Sequence, residues 1–350
     1  QAGVPAQLAA EMMRLKLKFA FGRIRPTRDF LDTRIVGDGP VEIADGVSLR
    51  RLRSNLFEFS HRGETVTVDL NLQPGETYEC AYPLGYRRFA LDDYFAVIHS
   101  GEGDGWDANR PCMSSIITYQ GHLYLIDAGP HLAHIMAALG IGIHQVDGIF
   151  HTHAHDDHFA GLTALMRAGR RIPYFATPLV RASVAKKLAA LLGTEEDRFT
   201  DFFDVRDLVF DEWNDIGGLE VMPIFSPHPG ETNNFVFRAL CGDGYRTYAH
   251  LADIVSMDVL QGMVTDDQEA PGLSREAFER TRAAYLVPAD LKKIDVGGGM
   301  IHGNASDFQG DTSARILLAH RAGELSPEEK EIGSSAAFGT VDVLVAGQSE

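Results

Sequence analysis

The sequence predicts an α/β fold, an αββα sandwich in which two sheets pack face to face with helices outside. Two features predict it. Apolar strand-like runs alternate with helical stretches along most of its 350 residues, and several of those runs end directly in histidine or aspartate.

The segment Ser114 to Ile126 reads as a β-hairpin, two apolar strands joined at Gln120-Gly121. A helix is expected over Leu132 to Leu139, then the strand Gly148-Ile149-Phe150, then a second helix over Phe159 to Arg167. Later strands are separated by helices at Ala182 to Leu192 and Ser274 to Tyr285, and the run 339–345 reads as a last strand.

Between the short strand and its helix lies Thr152-His153-Ala154-His155-Asp156-Asp157-His158, which packs three imidazoles and two carboxylates into six positions. His153 and His155 are two residues apart and project to one side, as imidazoles clasping one cation must. Asp157 and His158 begin the next element and face a second cation nearby. A loop following a buried strand is where catalytic groups commonly sit.

His153-Ala154-His155-Asp156-Asp157-His158 resembles the HxHxDH signature of the metallo-β-lactamase fold superfamily, whose members use it to hold two metals. The resemblance implies that a third histidine, a bridging aspartate and a last histidine follow in order, each at a strand end. His228 in Ser226-Pro227-His228, Asp253 after the strand Thr247 to Leu251, and His302 after Gly297-Gly298-Gly299 answer to them in that order. An unpaired carboxylate buried at the end of a strand is costly, and a cation at Asp253 removes that cost.

The expected centre has His153, His155 and His228 on one metal, Asp157, His158 and His302 on the other, and Asp253 between them. Asp157 and Asp253 are the carboxylates on which catalysis is expected to depend. Asp127, closing Leu125-Ile126-Asp127-Ala128-Gly129, resembles the residue that supports the ligands from behind; it also suits a helix cap. His151 is a further candidate for that supporting role or a buried structural histidine, and His99 and Asn304 are candidate substrate contacts. Strand alternation places His250 on the face opposite Asp253, as packing.

The function implied is a metal-dependent hydrolase with a binuclear centre, cutting a small ester-type substrate: a phosphodiester, lactone or thioester. Nitrogen and oxygen ligands without thiolate suit two zinc ions, with iron or manganese as alternatives. The rival reading is a di-iron redox or oxygen-binding sensor on the same fold. Flavodiiron proteins resemble this superfamily but usually carry glutamate at the position of His155, which favours hydrolysis.

The chain sets 32 Lys and Arg against 49 Asp and Glu, a net charge of −17. Such a surface repels polyanions, so the expected partner is a small molecule and not nucleic acid. Arg167, Arg170 and Arg171 form one basic cluster and Lys292-Lys293 another, neither interleaved with aromatics. The glycines of Gly101-Glu102-Gly103-Asp104-Gly105 lead into no helix, which argues against a phosphate cradle, though the loop resembles the opening of the superfamily's phosphodiesterase and transfer-RNA-processing branch.

Residues 1–84 are expected to form an N-terminal helix (Pro5 to Phe21) with a small β addition, its strands over Ser48 to Phe59 and Glu64 to Leu72. Residues 85–350 are expected to form the metallo-β-lactamase-like domain, with a helical insertion at about 179–208 that walls the cleft. The first part is expected to serve dimerisation, to roof the active site or to brace the fold. Three scattered cysteines argue against a disulfide framework, so the expected location is cytoplasmic, with no membrane contact. A homo-oligomer and a further domain after Glu350 are left open.

Overall fold

A small antiparallel meander comes first in the computed structural model, which describes residues 5–76, 84–86, 92–107 and 109–347. Its strands are β1 (Val41–Ala44), β2 (Val47–Arg53), β3 (Leu56–His61) and β4 (Glu64–Asp69). Their register lines up Val41, Leu49, Phe59 and Val66 on one face, with Phe57 beside Val68. The other face carries Ser48, Ser60 and Thr65. The chain divides into two units, Arg23–Cys80 and the remainder, so the meander stands by itself.

The N-terminal helix, Ala6–Phe19, belongs with the larger unit and not with the meander, which moves the boundary expected at residue 84. Leu8, Met12 and Leu15 recur at helical spacing and bury one stripe against Phe225, Val255, Leu260 and Phe278.

The larger unit holds two sheets. In chain order its strands are β5 (Phe95–Gly101), β6 (Ser114–Tyr119), β7 (His122–Ile126), β8 (Gly148–Phe150), β9 (Ile172–Ala176), β10 (Phe203–Asp207), β11 (Asn214–Ile216), β12 (Leu219–Phe225), β13 (Asn233–Cys241), β14 (Gly244–Leu251), β15 (Leu291–Asp295), β16 (Ile316–Ala319) and β17 (Val341–Val345). One sheet runs β10-β9-β8-β7-β6-β5-β17, the other β11-β12-β13-β14-β15-β16. Strands β7, β8, β9 and β10 are parallel, as are β14, β15 and β16, so their carboxyl ends share one rim in each sheet.

Aromatic side chains fill the space between the sheets. Phe150 stacks on Phe175 at 4.8 Å and meets Phe237 edge-on at 5.0 Å, joining β8 to β13. Outside the first sheet, Leu132, Ile135 and Met136 from the helix Leu132–Ala138 and Val180, Val184 and Leu188 from Pro178–Leu192 cover Ile149 and Tyr174. Tyr285 and Phe308 cover Ile294 and Leu318 on the second. The αββα order is therefore present.

Two expectations change. The insertion is not wholly helical: Phe203–Asp207 is β10, which extends the first sheet beyond β9. Lys292 and Lys293, read as a basic pair, are buried because β15 lies between two neighbouring strands. Lys293 Nζ donates to the carbonyls of Gly101 and Ser114, 2.7 Å from each, and so ties one sheet to the other. Lys292 is paired with Asp311.

His99 and His250 are buried, and burial is the main force that lowers their pKa values to about 4 and about 3. Each binds a proton more readily unfolded, near 6.5, than folded, so stability is full above about pH 6.5 and falls as pH drops toward the folded values. Each contributes a slope of up to about 1.4 kcal/mol per pH unit in that window. Urea denaturation in excess chelator should show stability falling from pH 7 to pH 4.5, with a shallower fall in His250→Gln. Equal stability at both ends would contradict buried neutral imidazoles.

Candidate metal centre

Five strand ends and one loop deliver the chemistry to a single rim. Asp127 follows β7, the loop 151–155 follows β8, His228 follows β12, Asp253 follows β14, Asp295 ends β15 and His320 follows β16. Asp127, Asp253 and His320 have φ of 66°, 32° and 52°. Such left-handed backbone at non-glycine residues is costly and collects where function requires it.

Three groups of ligand-capable side chains lie there: His153, His155, His228 and Asp253; Asp157, His158, Asp253 and His320; and Asp253, Asp295, His302 and His320. Asp253 is common to all three. Its Oδ2 lies 3.4 Å from His153 Nε2 and 3.3 Å from His228 Nε2. Its Oδ1 lies 2.9 Å from His158 Nε2 and 3.2 Å from His320 Nε2. Asp157 Oδ2 closes the second group, 3.2 Å from His158 Nε2 and 3.0 Å from His320 Nε2. One carboxylate thus faces two nitrogen sets with its two oxygens.

The outer nitrogens have partners of their own. Asp127 accepts from the backbone N–H and hydroxyl of Thr152, both at 2.8 Å, and sits 2.8 Å from His158 Nδ1. Thr152 Oγ1 is 3.0 Å from His153 Nδ1, and the Ile301 carbonyl is 2.8 Å from His228 Nδ1. Fixing one ring nitrogen aims the other inward, as partners behind metal-ligating histidines do. Asp127 lies behind His158 and Thr152, where a supporting residue is expected, and not at the cap position of the helix Leu132–Ala138, which is His131.

The inward atoms fit cations. His153 Nε2, His158 Nε2 and Asp253 Oδ1 are buried and make no hydrogen bond. Left so, each costs free energy, and a divalent ion among them removes the cost. Burial opposes charge on Asp253 and Asp157, yet neighbouring histidines hold both carboxyls below their usual range: His320, His158 and His153 around Asp253, His158 and His320 around Asp157. Burial likewise opposes protonation of His158 and His320, and the carboxylates overcome it, raising both well above 6.5. His155 and His228 go the other way, to about 4 and about 3, chiefly through burial. The pocket demands positive charge beside Asp157 and offers neutral nitrogen donors at His155 and His228.

Of the residues singled out in the sequence, His153, His155, His228, Asp157, His158 and Asp253 are brought together. His302 stands differently. It does not group with Asp157 and His158; His320 occupies that place, while His302 Nδ1 lies 3.0 Å from Asp295 and 3.9 Å from Asp253 Oδ2. The signal for His320 is present in the sequence as Leu317-Leu318-Ala319-His320, an apolar strand ending in histidine like the others.

His99 is no substrate contact: it is buried on β5 with Nε2 2.8 Å from Asp342. Asn304 starts a short 3-10 turn, Ala305–Phe308, outside the cleft lining. His151 is buried against Phe159 and Tyr174, with neither ring nitrogen hydrogen-bonded, so it supports no ligand through a hydrogen bond. His250 packs beside Tyr248, Nδ1 2.8 Å from its hydroxyl.

Above the centre opens a cleft of about 410 Å³, lined by Asp104, Trp106, Asp156, Lys187, Ile301 and His302 besides the ligand groups. Lys187 comes from the helix Pro178–Leu192, so the insertion does wall the cleft. A larger hollow of about 730 Å³, beside Tyr94, Gln120, Leu240 and Val345, lies at the opposite strand ends and includes none of these groups.

Residues 95–245 match the family model described as anti-Pycsar protein Apyc1. A ribonuclease Z of Mycolicibacterium gilvum (strain PYR-GCK) is 36% identical over 56 residues, which is 16% of this chain and 20% of that protein. The chain therefore matches about one fifth of that relative's length. Among solved structures, the metallo-β-lactamase fold protein YhfI from Bacillus subtilis superposes with a TM-score of 0.53 at 16% identity, covering 71% of this chain and 98% of YhfI. A diphosphatase from the PhnP family superposes at 0.51 and 17% identity, covering 71% of this chain and 96% of that one.

Metal content by mass spectrometry after reconstitution separates the roles. If the parent protein takes up two equivalents, Asp253→Ala should bind neither cation stably and His320→Ala should lose one equivalent, whereas His302→Ala should keep two. Asp127→Ala should keep both with affinity weakened roughly 10- to 100-fold. Gly129→Ala should mimic loss of Asp157, because a Cβ at residue 129 would lie 2.2 Å from the Asp157 carbonyl oxygen.

Proposed function

We propose that this chain, which has the metallo-β-lactamase fold, is a metal-dependent hydrolase of small phosphoesters working through a binuclear centre. The observation that carries the proposal is Asp253, its two oxygens turned toward separate nitrogen sets at the floor of an open cleft. His153, His155 and His228 would hold one cation, Asp157, His158 and His320 the other, with Asp253 shared. Bound there, two divalent ions supply Lewis acidity and a water whose pKa is brought toward neutrality. Oxygen and nitrogen donors suit zinc, with iron or manganese as alternatives.

The chain's own residues do the rest. His302, freed from the second set by His320, lines the cleft with Nδ1 facing the Asp295 carboxylate. Burial opposes its protonation, but the Asp295 hydrogen bond and charge raise its pKa above 6.5. A protonated imidazole held by one nitrogen has the other available to give a proton to a leaving oxygen. Asp295 fixes that ring and also accepts the backbone N–H of Gly297 at 2.8 Å and of Ile254 at 3.0 Å. Asp127 and Thr152 keep His158 and His153 aimed inward.

Phosphorus substrates are favoured over lactones and thioesters because, among the similar proteins, one is named a diphosphatase and another a ribonuclease, and both names denote cleavage at phosphorus; the ribonuclease name favours an ester. A small substrate is favoured over a polynucleotide by the net charge of −17 and by a cleft whose lining, among the described residues, holds one lysine and no arginine.

The test is a panel of phosphodiester, lactone and thioester substrates with protein loaded with zinc, manganese or iron. Turnover of phosphodiesters, lost in Asp253→Ala, is expected; turnover of another class alone would overturn the phosphoester reading. His302→Ala should retain both metals yet lose about 10²- to 10⁴-fold in kcat, with the loss smallest for esters whose leaving group needs no proton.

A further inference from the structure

Trp106 lies at the mouth of this cleft with its side chain 89% exposed, in a lining that also holds Asp157, His302 and His320. The protein's other tryptophan, Trp213, is half-buried under the Arg238 guanidinium at 3.8 Å. An indole so open gains nothing for the fold, since its apolar area stays in water.

Its position is nevertheless fixed. The Asp104 carboxylate accepts the backbone N–H of Trp106 at 3.1 Å and of Asp107 at 3.3 Å. Gly105, at φ +81°, lets the loop lie against Asp157 so closely that a Cβ there would be 2.6 Å from the Asp157 Cβ. Asp107 then pairs with Arg110 at 3.2 Å. The backbone on either side of the indole is pinned to the centre, while the ring itself is left unpacked.

The remaining lining says what such a ring would meet. Asp104, Asp156, Asp157 and Asp253 surround the cleft, and Lys187, the one basic chain of Lys or Arg type among its described lining residues, is engaged by Asp156 at 2.6 Å and by the Ala154 carbonyl at 2.7 Å. A second anionic group on the substrate would be repelled there. A neutral planar ring would stack on the indole without needing a free cation.

We propose that Trp106 is a specificity-determining residue, which stacks against a neutral planar heteroaromatic group carried by the phosphoester, a nucleobase being the simplest example. This rests on the phosphoester reading above. A cleft of about 410 Å³ has room for one such ring and its sugar, not for a stacked strand.

Two esters with the same leaving group test it: thymidine 5′-(p-nitrophenyl phosphate) and methyl p-nitrophenyl phosphate. Trp106→Ala should raise KM for the thymidine ester about tenfold at unchanged kcat and leave the methyl ester unaffected, with Trp106→Phe close to the parent protein. An equal change on both esters, or none on either, would overturn the assignment. If the parent protein cleaves neither ester, the hydrolytic reading fails, and fluorescence of the metal-loaded Trp213→Phe protein still decides the stacking. Thymidine monophosphate should quench Trp106 while deoxyribose 5-phosphate should not, and quenching by neither would refute the inference.

Discussion

The carboxylate of Asp253 is the constraint around which the rest is arranged. It is buried, its oxygens point at different imidazole sets, and its charge persists only because His320, His158 and His153 oppose the cost of burial. A carboxylate so placed is unstable without positive charge on both sides. Protons on His158 and His320 meet that demand in the metal-free chain, and cations meet it better because His153 Nε2 and Asp253 Oδ1 then gain partners as well.

The scaffold supplies what such a site needs. Parallel strands β7 to β9 in one sheet and β14 to β16 in the other present their carboxyl ends to one rim, and the aromatic layer around Phe150 holds the sheets in register. Left-handed backbone at Asp127, Asp253 and His320 turns side chains inward as each strand ends. The strain is borne by a core that has no freedom to relax it, which is why rigid strands, not loops alone, position the site. Lys293 joins the sheets near the same end through the Gly101 and Ser114 carbonyls.

Much of this could be read from the chain because the informative signals were local. Three histidines and two aspartates within six positions mark a polar turn after a buried strand, running from the loop into the helical turn Asp156–Phe159, and an apolar run ending in His228 or Asp253 marks a strand delivering a polar side chain. Which histidine joins Asp157 is not legible in the sequence for a physical reason: both His302 and His320 reach the rim, and only the packing of β16 beside β15 decides which one faces Asp157. Burial of Lys292 and Lys293 is equally hidden in the sequence, since a charged pair in a central strand contradicts its local propensity, and the carbonyls of Gly101 and Ser114 that satisfy Lys293 lie far upstream. The helix Ala6–Phe19 shows the limit of boundaries drawn from composition, for its partners Phe225 and Phe278 lie more than two hundred residues on.

The most direct measurement is anomalous diffraction from crystals of metal-loaded protein. The account predicts two peaks, one on either side of the Asp253 carboxylate, the first among His153, His155 and His228 and the second among Asp157, His158 and His320. A single peak, or a second one lodged between Asp295 and His302 with Asp157 left uncoordinated, would contradict it.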